Sequence, residues 1–289
     1  MRKQSYLKHI LALLLFGSNG IVAANISLSS YEIVFFRSLI GSLLLITIYL
    51  LSHSKLSFFR HKRSLIFLII SGVAMGISWM SLFEAFQQIG VSISILVYYC
   101  GPVIVMALSP ILFREKLTLI KIGGFIAVLI GIFLINNQAL GHGLPGTGLF
   151  FAIISAVTYA VMVIFNKKST EIVGLENATL QLVCSFITVA VFMFVKQGFI
   201  IHVASEDWIP ILILGLLNTG IGCYLYFSSI GKLPAQTVAI CGYLEPMSAV
   251  AFSALFLNEM LSSLQIVGAV LIIGGAILGE VFIKRKNAV

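Results

Sequence analysis

The stretch 99–115, with the sequence YCGPVIVMALSPILFRE, recurs 144 residues later as the stretch 243–259, YLEPMSAVAFSALFLNE. The two copies place identical residues at equivalent positions: Tyr99 and Tyr243, Pro102 and Pro246, and Glu115 and Glu259. The same register of 144 residues continues without a gap from about residue 32 to residue 135. Because self-similarity at a fixed spacing indicates repeated structural units, we predict two similar halves, 6–137 and 145–286.

The repeated segments belong to a strongly apolar chain. Of its 289 residues, 60% are hydrophobic and 10% are charged, and the mean hydropathy is +1.10. Soluble proteins carry about 25% charged residues, so most of the surface is expected to face lipid. A membrane-spanning helix needs roughly 20 apolar residues. We therefore predict an all-α polytopic membrane protein with ten transmembrane helices, at 8–27, 31–51, 65–86, 91–113, 118–136, 147–166, 176–196, 208–229, 235–257 and 262–283.

Lysine and arginine lie almost entirely on one side of this predicted topology. The amino terminus and every second connection hold 16 of the 18 basic residues, whereas the opposite side holds Lys196 and the second span holds Arg37. Because basic residues accumulate in cytoplasmic loops, both termini are predicted to be cytoplasmic, in the inner membrane of a bacterium or archaeon. This topology accounts for the net charge of +8, so membrane lipids are expected partners and nucleic acid is not.

The two halves are predicted to cross the membrane in opposite orientations. Each half contains five predicted spans, and an odd number of spans forces the second half to enter from the other side. Glu115 accordingly falls at a cytoplasmic end, whereas its counterpart Glu259 falls at an outer end. Inverted repeats of this kind are typical of secondary transporters, in which they form two equivalent gates around one central site. We therefore predict two inverted five-helix repeats and a transport function.

The last two predicted spans of each half carry proline, glutamate and glycine at equivalent positions. The glycines Gly124 and Gly131 of the first half correspond to Gly268 and Gly275 of the second. On these residues the chain resembles the drug/metabolite transporter superfamily, and within it the EamA-type ten-helix carriers, over nearly its whole length. The resemblance implies a central cavity between the halves that opens alternately to either side. Members of the superfamily move amino acids, nucleosides, sugar derivatives, quaternary amines and drugs, and many bacterial members export them, so the resemblance does not specify the substrate.

Glu245 is where the two halves differ, because the first half has Gly101 at the equivalent position. Glu245 lies about 15 Å into the ninth predicted span, near the middle of a hydrocarbon core about 30 Å thick. A charge there costs at least about 2.5 kcal/mol, so such residues face cavities or partners. Pro102 and Pro246 predict helix breaks, and the second break would aim Glu245 into the cavity. Proton coupling, binding of a substrate cation, and a neutral carboxyl group bonded to a neighbouring helix are the alternatives.

Arg37 is the second charged residue within a predicted span. It lies about six residues, roughly 9 Å, from the outer end of the second span, from which a long side chain can reach the interface. Alternatively, Arg37 binds a substrate carboxylate, or it pairs with Glu84 near the outer end of the third span to form an outer gate. The pairing with Glu84 is predicted from similar depth alone.

Aromatic and amide side chains lie on the spans expected to surround the cavity. Rings beside Glu245 could bind an aromatic side chain or cage a quaternary ammonium by cation–π attraction, and ordinary packing is the alternative for each ring. The amides of Asn19 and Asn218 either join neighbouring helices or contact substrate. The candidate rings are those of Trp79, Phe83, Tyr98, Tyr99, Tyr159, Tyr224, Tyr226 and Tyr243, of which Tyr99 and Tyr243 stand beside the predicted breaks.

No enzyme motif is present in the sequence: it has no HExxH, no GxSxG and no phosphate-binding P-loop. His9 and the other histidines fall in loops or at span ends, so no metal site and no cofactor are expected. We predict a secondary active transporter that exports a small amphipathic metabolite, an amino acid or derivative, by alternating access, with or without proton coupling. The alternatives are a carrier of cationic amines, quaternary amines or drugs, and a lipid translocase. A monomer or a weak homodimer is expected.

Overall fold

The structure, a computed structural model, describes residues 2–52, 57–135, 146–198, 201–256 and 262–286. All regular secondary structure in these ranges is helical. The helices are α1 (Arg2–Gly17), α2 (Asn19–Ala23), α3 (Ser30–Leu51), α4 (Lys62–Ile89), α5 (Val91–Tyr98), α6 (Cys100–Phe113), α7 (Leu119–Ile135), α8 (Gly146–Lys168), α9 (Gly174–Gln197), α10 (Trp208–Ile213), α11 (Gly222–Ile230), α12 (Ala235–Gly242), α13 (Leu244–Phe256) and α14 (Ser263–Lys286).

Several of these helices can cross a membrane. Within the described ranges, seven segments are long and apolar enough: Lys3–Ala23, Ser30–Leu51, Lys62–Ile89, Ile93–Phe113, Gly146–Lys168, Gly174–Lys196 and Ser205–Ile230. Two shorter apolar helices, Leu119–Leu134 and Ile266–Gly275, belong to α7 and α14. The predicted all-helical, polytopic membrane fold is therefore confirmed. The count of ten spans stays a prediction, and Glu259 lies outside the described residues.

Helix breaks occur within the fourth and ninth predicted spans. Tyr99 separates α5 from α6, and Tyr243 separates α12 from α13. Pro102 and Pro246 each stand three residues after the break. Because proline has no N–H, neither residue can donate a hydrogen bond to the carbonyl four residues earlier. A different irregularity lies between α10 and α11, where the chain forms a π-helical stretch, Leu214–Ile221.

Glycines allow α7 and α14 to pack closely against each other. A methyl group added to Gly131 would lie 2.6 Å from the carbonyl oxygen of Gly268. A methyl group added to Gly275 would lie 2.3 Å from the carbonyl oxygen of Gly124. Small residues at such contacts are typical of helix pairs in membranes, where close van der Waals packing drives association. The glycine pairs seen in the sequence therefore face each other across one helix pair.

The helices pack in corresponding pairs. Helix α1 packs against α11 and α13, and α8 packs against α4 and α6. A shift of 144 residues relates the first group to the second, since it carries α1 onto α8, and α4 and α6 onto α11 and α13. Helix α3 packs against α9, its own counterpart. A central space is left between α1, α3, α4, α8, α11 and α13.

Candidate functional site

A cavity of about 600 Å³ occupies the space between these helices. Its wall is mainly apolar and aromatic, which is typical of sites for small organic molecules. Cavities of this size accommodate a metabolite rather than a macromolecule. The charged and polar residues of the wall are Asn19, Ser30, Arg37, Ser78, Thr219 and Glu245.

Glu245 enters the cavity because of the break at Tyr243 and the small residue opposite it. Glu245 lies in the first turn of α13 and lines the cavity together with Pro246. Helix α1 passes close to this turn at Gly17, where an added methyl group would lie 2.8 Å from the Glu245 carbonyl oxygen. The backbone of α13 is thus held against α1, while the Glu245 side chain faces the open space.

Arg37 lines the same cavity from the first half of α3. Its guanidinium carbon lies 4.4 Å from the centroid of the Trp79 ring, a cation–π contact. Within the described part of the chain, the Arg37 Nε has no hydrogen-bond partner. A buried guanidinium with a free donor favours an anionic or carbonyl oxygen as its ligand.

Arg37 and Glu245 bring groups of opposite formal charge to one cavity. Arg37 offers donors to a carboxylate, and Glu245 offers acceptors to an amine. Both side chains line the same space. A molecule that carries both charges would pair with both residues at once, whereas a molecule with a single charge would pair with one of them.

Aromatic side chains form the wall between these charges. The Tyr98 ring lies 5.4 Å from the Tyr99 ring and 5.3 Å from the Tyr159 ring, centroid to centroid. The hydroxyl groups of Tyr159 and Tyr226 are 3.4 Å apart. All four tyrosines line the cavity. They present ring faces to an apolar group and hydroxyl groups to a polar one.

The structure brings eight of the predicted site residues to this cavity: Asn19, Arg37, Trp79, Tyr98, Tyr99, Tyr159, Glu245 and Pro246. Within the described chain, the Asn19 Oδ1 has no hydrogen-bond partner, so this amide is free to accept from a ligand. Phe83 and Tyr226 also line the cavity.

The other predicted residues lie away from the cavity wall and make structural contacts. Tyr243 is fully buried, and its hydroxyl donates to the Tyr99 carbonyl at 2.8 Å. The Asn218 amide donates to the Leu15 carbonyl at 2.7 Å and to the Ser18 Oγ at 2.8 Å. The Tyr224 ring lies 5.1 Å from the Lys8 Nζ, and Pro102 is buried in α6. Tyr243 and Asn218 therefore join helices in this structure.

The predicted pairing of Arg37 with Glu84 needs correction. Glu84 accepts hydrogen bonds from Lys196 at 3.0 and 3.1 Å, from Gln88 at 3.1 Å and from the Tyr31 hydroxyl. Lys196 lies on α9, whose place beside α3 and α4 was not foreseen from the sequence. The Glu84 carboxylate is bonded to Lys196, whereas the Arg37 guanidinium lies over the Trp79 ring.

Sequence reasoning missed several wall residues that helical spacing could have shown. Thr219, Cys223 and Phe227 recur at intervals of four residues, which places them on one helix face with Tyr226, a ring already predicted to surround the cavity. Leu13, Phe16, Gly17 and Gly20 do the same on the first span. Asn19 and Tyr226 therefore marked faces whose other members also line the cavity.

Polar contacts join several helices at the end of the bundle that carries most of the lysine and arginine residues. We call this region, which includes Glu115, Lys121, Lys167 and Gln236, the basic end. The Glu115 carboxylate accepts from the backbone N–H groups of Ala235 at 2.6 Å and Gln236 at 3.1 Å. Gln236 also accepts from Lys121 and donates to the Ser109 Oγ at 2.8 Å. Lys167 donates to the Leu233 carbonyl. The first turn of α12 is thereby tied to α6, α7 and α8.

The cavity extends toward the opposite end of the bundle. Its wall there includes Ile26, Leu28 and Ser30, which precede or begin α3, and Phe86 and Val91, which flank the junction of α4 and α5. Val91 is 53% exposed. The two ends of the bundle therefore differ: one is tied together, and the other borders the cavity directly.

A bundle of apolar helices around a cavity with two opposite charges defines a polytopic membrane protein with an internal small-molecule site. The sequence matches the EamA-like transporter family in two segments, residues 4–137 and 146–279. The chain belongs to this family of the drug/metabolite transporter superfamily, and it is a transporter of that type.

Individual relatives agree with this assignment. The chain is 27% identical over 280 residues to the uncharacterized transporter YxxF of Bacillus subtilis, covering 96% of this chain and 89% of that protein. It is 25% identical over 182 residues to a probable amino-acid metabolite efflux pump of Salmonella typhimurium, covering 59% of this chain and 60% of that protein. One solved crystal structure has the same fold, with a TM-score of 0.84, 16% identity and 99% coverage of both chains.

Proposed function

We propose that this protein is a secondary carrier that exports a small amphipathic zwitterion, an amino acid or a derivative, across the inner membrane. The observation that carries the proposal is the pairing of Arg37 and Glu245 in one largely apolar cavity. The relative named as a probable amino-acid metabolite efflux pump supports the same substrate class. Apolar and aromatic wall residues would hold the side chain of the substrate, and the two charges would hold its amino and carboxylate groups.

The proposed architecture is ten transmembrane helices in two inverted five-helix halves, with both termini in the cytoplasm. The register of 144 residues and the corresponding helix pairs of the two halves support it. The accumulation of lysine and arginine at the basic end supports a cytoplasmic position for that end. In this conformation the cavity would face outward, and alternating access would require the basic end to open.

A zwitterion fits this cavity better than the cationic amine considered from the sequence. A cation would gain from Glu245 and from the tyrosine rings. However, Arg37 places a positive charge in the same cavity, and its guanidinium already covers the Trp79 ring. A ligand with a single positive charge would be repelled by Arg37 and would leave its donors without a partner.

Proton coupling would act through Glu245. A carboxylate attracts a substrate amine, and a protonated carboxyl group does not, so protonation and amine binding compete at this residue. Such competition exchanges one proton for one substrate molecule without any further group. The lines of support are the position of Glu245 in the cavity wall and its place near the middle of the predicted span.

Ligand binding can be tested with the tryptophan in the cavity as the probe. Trp79 and Trp208 are the two tryptophans of the chain, so a Trp208→Phe background reports on Trp79 alone. The ligands are L-phenylalanine, L-leucine, and for each the analogue without its carboxylate and the analogue without its amine. We expect the zwitterions to change Trp79 fluorescence with the highest affinity.

Charge variants make this assay specific. Arg37→Gln should shift the preference toward the amines, and Glu245→Gln should shift it toward the carboxylates. Glu176→Gln, which removes a carboxylate bonded to the Ser57 and Phe58 backbone far from the cavity wall, is the matched control. If the amines bind as tightly as the zwitterions in the unchanged protein, the proposed substrate class is wrong.

A further inference from the structure

His9 lies inside the helical bundle, next to the floor of the cavity. Its side chain is fully buried, and it stands on α1 four residues before Leu13, which lines the cavity. Four residues of α-helix span about 6 Å, so the imidazole lies one turn closer to the basic end than the cavity wall. The sequence placed His9 at a span end, whereas the structure places it in the closed region between cavity and basic end.

The His9 ring joins α1 to two helices of the second half. Its Nδ1 lies 3.3 Å from the Ser229 Oγ, and its ring centroid lies 5.1 Å from that of Tyr226, both on α11. Val238 on α12 also lies beside the ring, and within the described residues the Nε2 has no hydrogen-bond partner. His9 therefore lies where α1 packs against α11 and α12, and the first residues of α12 are bonded to Glu115.

A short path of polar groups connects His9 with the cavity. The Tyr226 ring contacts His9, and the Tyr226 hydroxyl lies 3.4 Å from that of Tyr159. Tyr159 and Tyr226 both line the cavity that holds Glu245. Besides Arg2 and Lys3 at its start, the titratable and charged groups on α1 and on the helices packed against it are Tyr6, Lys8, Cys223, Tyr224, Tyr226, Cys241 and Glu245. The nearby basic-end contacts add Glu115, Lys121 and Lys167.

We propose that His9 is a proton-binding residue that controls the opening of the basic end, an inference that rests on the proposed carrier function. The basic end closes around a neutral ring, because a buried imidazolium without a counter-charge is strongly unfavourable. When the helices separate at the basic end, water reaches the ring and a proton from that side can bind, since histidine titrates near neutral pH in water. The basic end closes again only after the proton has left.

The predicted consequence is a conformational equilibrium that responds to pH without any substrate. Acid pH should favour the state that is open at the basic end. Spin labels at Lys116→Cys and Lys232→Cys would report this opening, because both side chains are exposed and flank the contact between Glu115 and α12. The four native cysteines, Cys100, Cys184, Cys223 and Cys241, would be replaced in the background protein.

Electron–electron distance measurements at about pH 8 and about pH 5.5 bracket the range in which histidine changes charge. In the background protein we expect the population with the longer distance to rise several-fold at the lower pH. His9→Phe, which keeps a ring against Tyr226, should remain at the shorter distance at both pH values, and His9→Asn should do the same. His61→Gln, a change at a half-exposed histidine bonded to Glu171, should keep the full response.

Two outcomes would overturn the assignment of His9. The first is a background protein whose distances do not change with pH. The second is a response that survives in both His9 variants; its loss in Glu245→Gln would then place the proton at Glu245. Since no ligand is added, the result is independent of the fluorescence assay: ligand binding can fail while the pH response holds, and the reverse is equally visible.

Discussion

The two helix breaks share a tyrosine and a proline, but the residue before the proline differs and plays a different part in each. The first, at Tyr99, is followed by Gly101 and Pro102, and the second, at Tyr243, is followed by Glu245 and Pro246. Gly101 lies against α8, where an added methyl group would lie 2.8 Å from the Ala156 carbonyl oxygen and 2.7 Å from a Tyr159 ring carbon. Glu245 faces the cavity. One break therefore serves helix packing, and the other supplies a charge.

The comparison shows that a repeated helix break need not carry the same functional side chain in both copies. Proline produces both breaks by removing the same backbone donor. The residues before the two prolines have different surroundings. Gly101 lies against the Tyr159 ring, whereas Glu245 lies beside the open cavity. An acid at position 101 would place a charge in the packed contact of α6 with α8.

Among the variants that test the difference between the two breaks, Gly101→Glu is expected to have the largest effect, a loss of stability. The new side chain would displace Tyr159 and would bring a charge into the packed contact of α6 with α8. Overpacking alone costs about 1–3 kcal/mol, and the buried charge adds to it. Thermal unfolding in detergent should show a large fall in Tm or loss of the folded protein. An unchanged Tm would mean that the first break tolerates an acid and that packing does not explain Gly101.

Glu245→Gln is expected to leave the fold intact and to remove proton-driven transport. The amide has nearly the same shape, and it cannot bind or release a proton at accessible pH. Uptake of labelled L-phenylalanine or L-leucine into proteoliposomes, driven by a pH gradient, should fall to the background rate, while exchange of labelled for unlabelled substrate persists at a reduced rate. Full gradient-driven uptake by this variant would rule out Glu245 as the coupling residue.

Tyr243→Phe is expected to weaken the connection between the two breaks. The Tyr243 hydroxyl donates to the Tyr99 carbonyl at 2.8 Å in a fully buried setting. Its removal leaves that carbonyl without this partner, at a cost of about 1–3 kcal/mol. Tm should fall moderately, and ligand affinity measured by Trp79 fluorescence should change little, because Tyr243 does not line the cavity. A large loss of affinity with an unchanged Tm would reverse this assignment.

Tyr224→Leu is expected to have the smallest effect. The Tyr224 ring contacts Lys8 at 5.1 Å and lies outside the cavity wall. An exposed cation–π contact is worth about 0.5–1 kcal/mol, so Tm should shift slightly and ligand binding should not change. Tyr226→Leu, on the same helix but in the cavity wall, is the matched comparison. Equal loss of ligand binding in both variants would contradict the orientation of α11 in which Tyr226, and not Tyr224, lines the cavity.

The sequence predicted the membrane fold and the position of the breaks because both depend on local features. Apolar segment length decides whether a helix can span a bilayer, and Pro102 and Pro246 each remove one backbone donor just after a break. It also predicted most of the charged and aromatic wall, since Arg37 and Glu245 inside apolar spans are too costly to face lipid. It could not assign the partner of Glu84, because Lys196 is 112 residues away along the chain.

By itself, the sequence determined that the chain is a helical membrane protein of two related parts, with a single acid, Glu245, where the first part has Gly101. Tertiary structure decided which side chains share the cavity: Tyr226 and Cys223 enter it, whereas Tyr243 and Asn218 hold helices together. It also moved His9 from an expected span end to a buried contact beneath the cavity. The physical reason is that hydropathy and proline act within one helix, whereas the direction of a side chain depends on which helix packs against it.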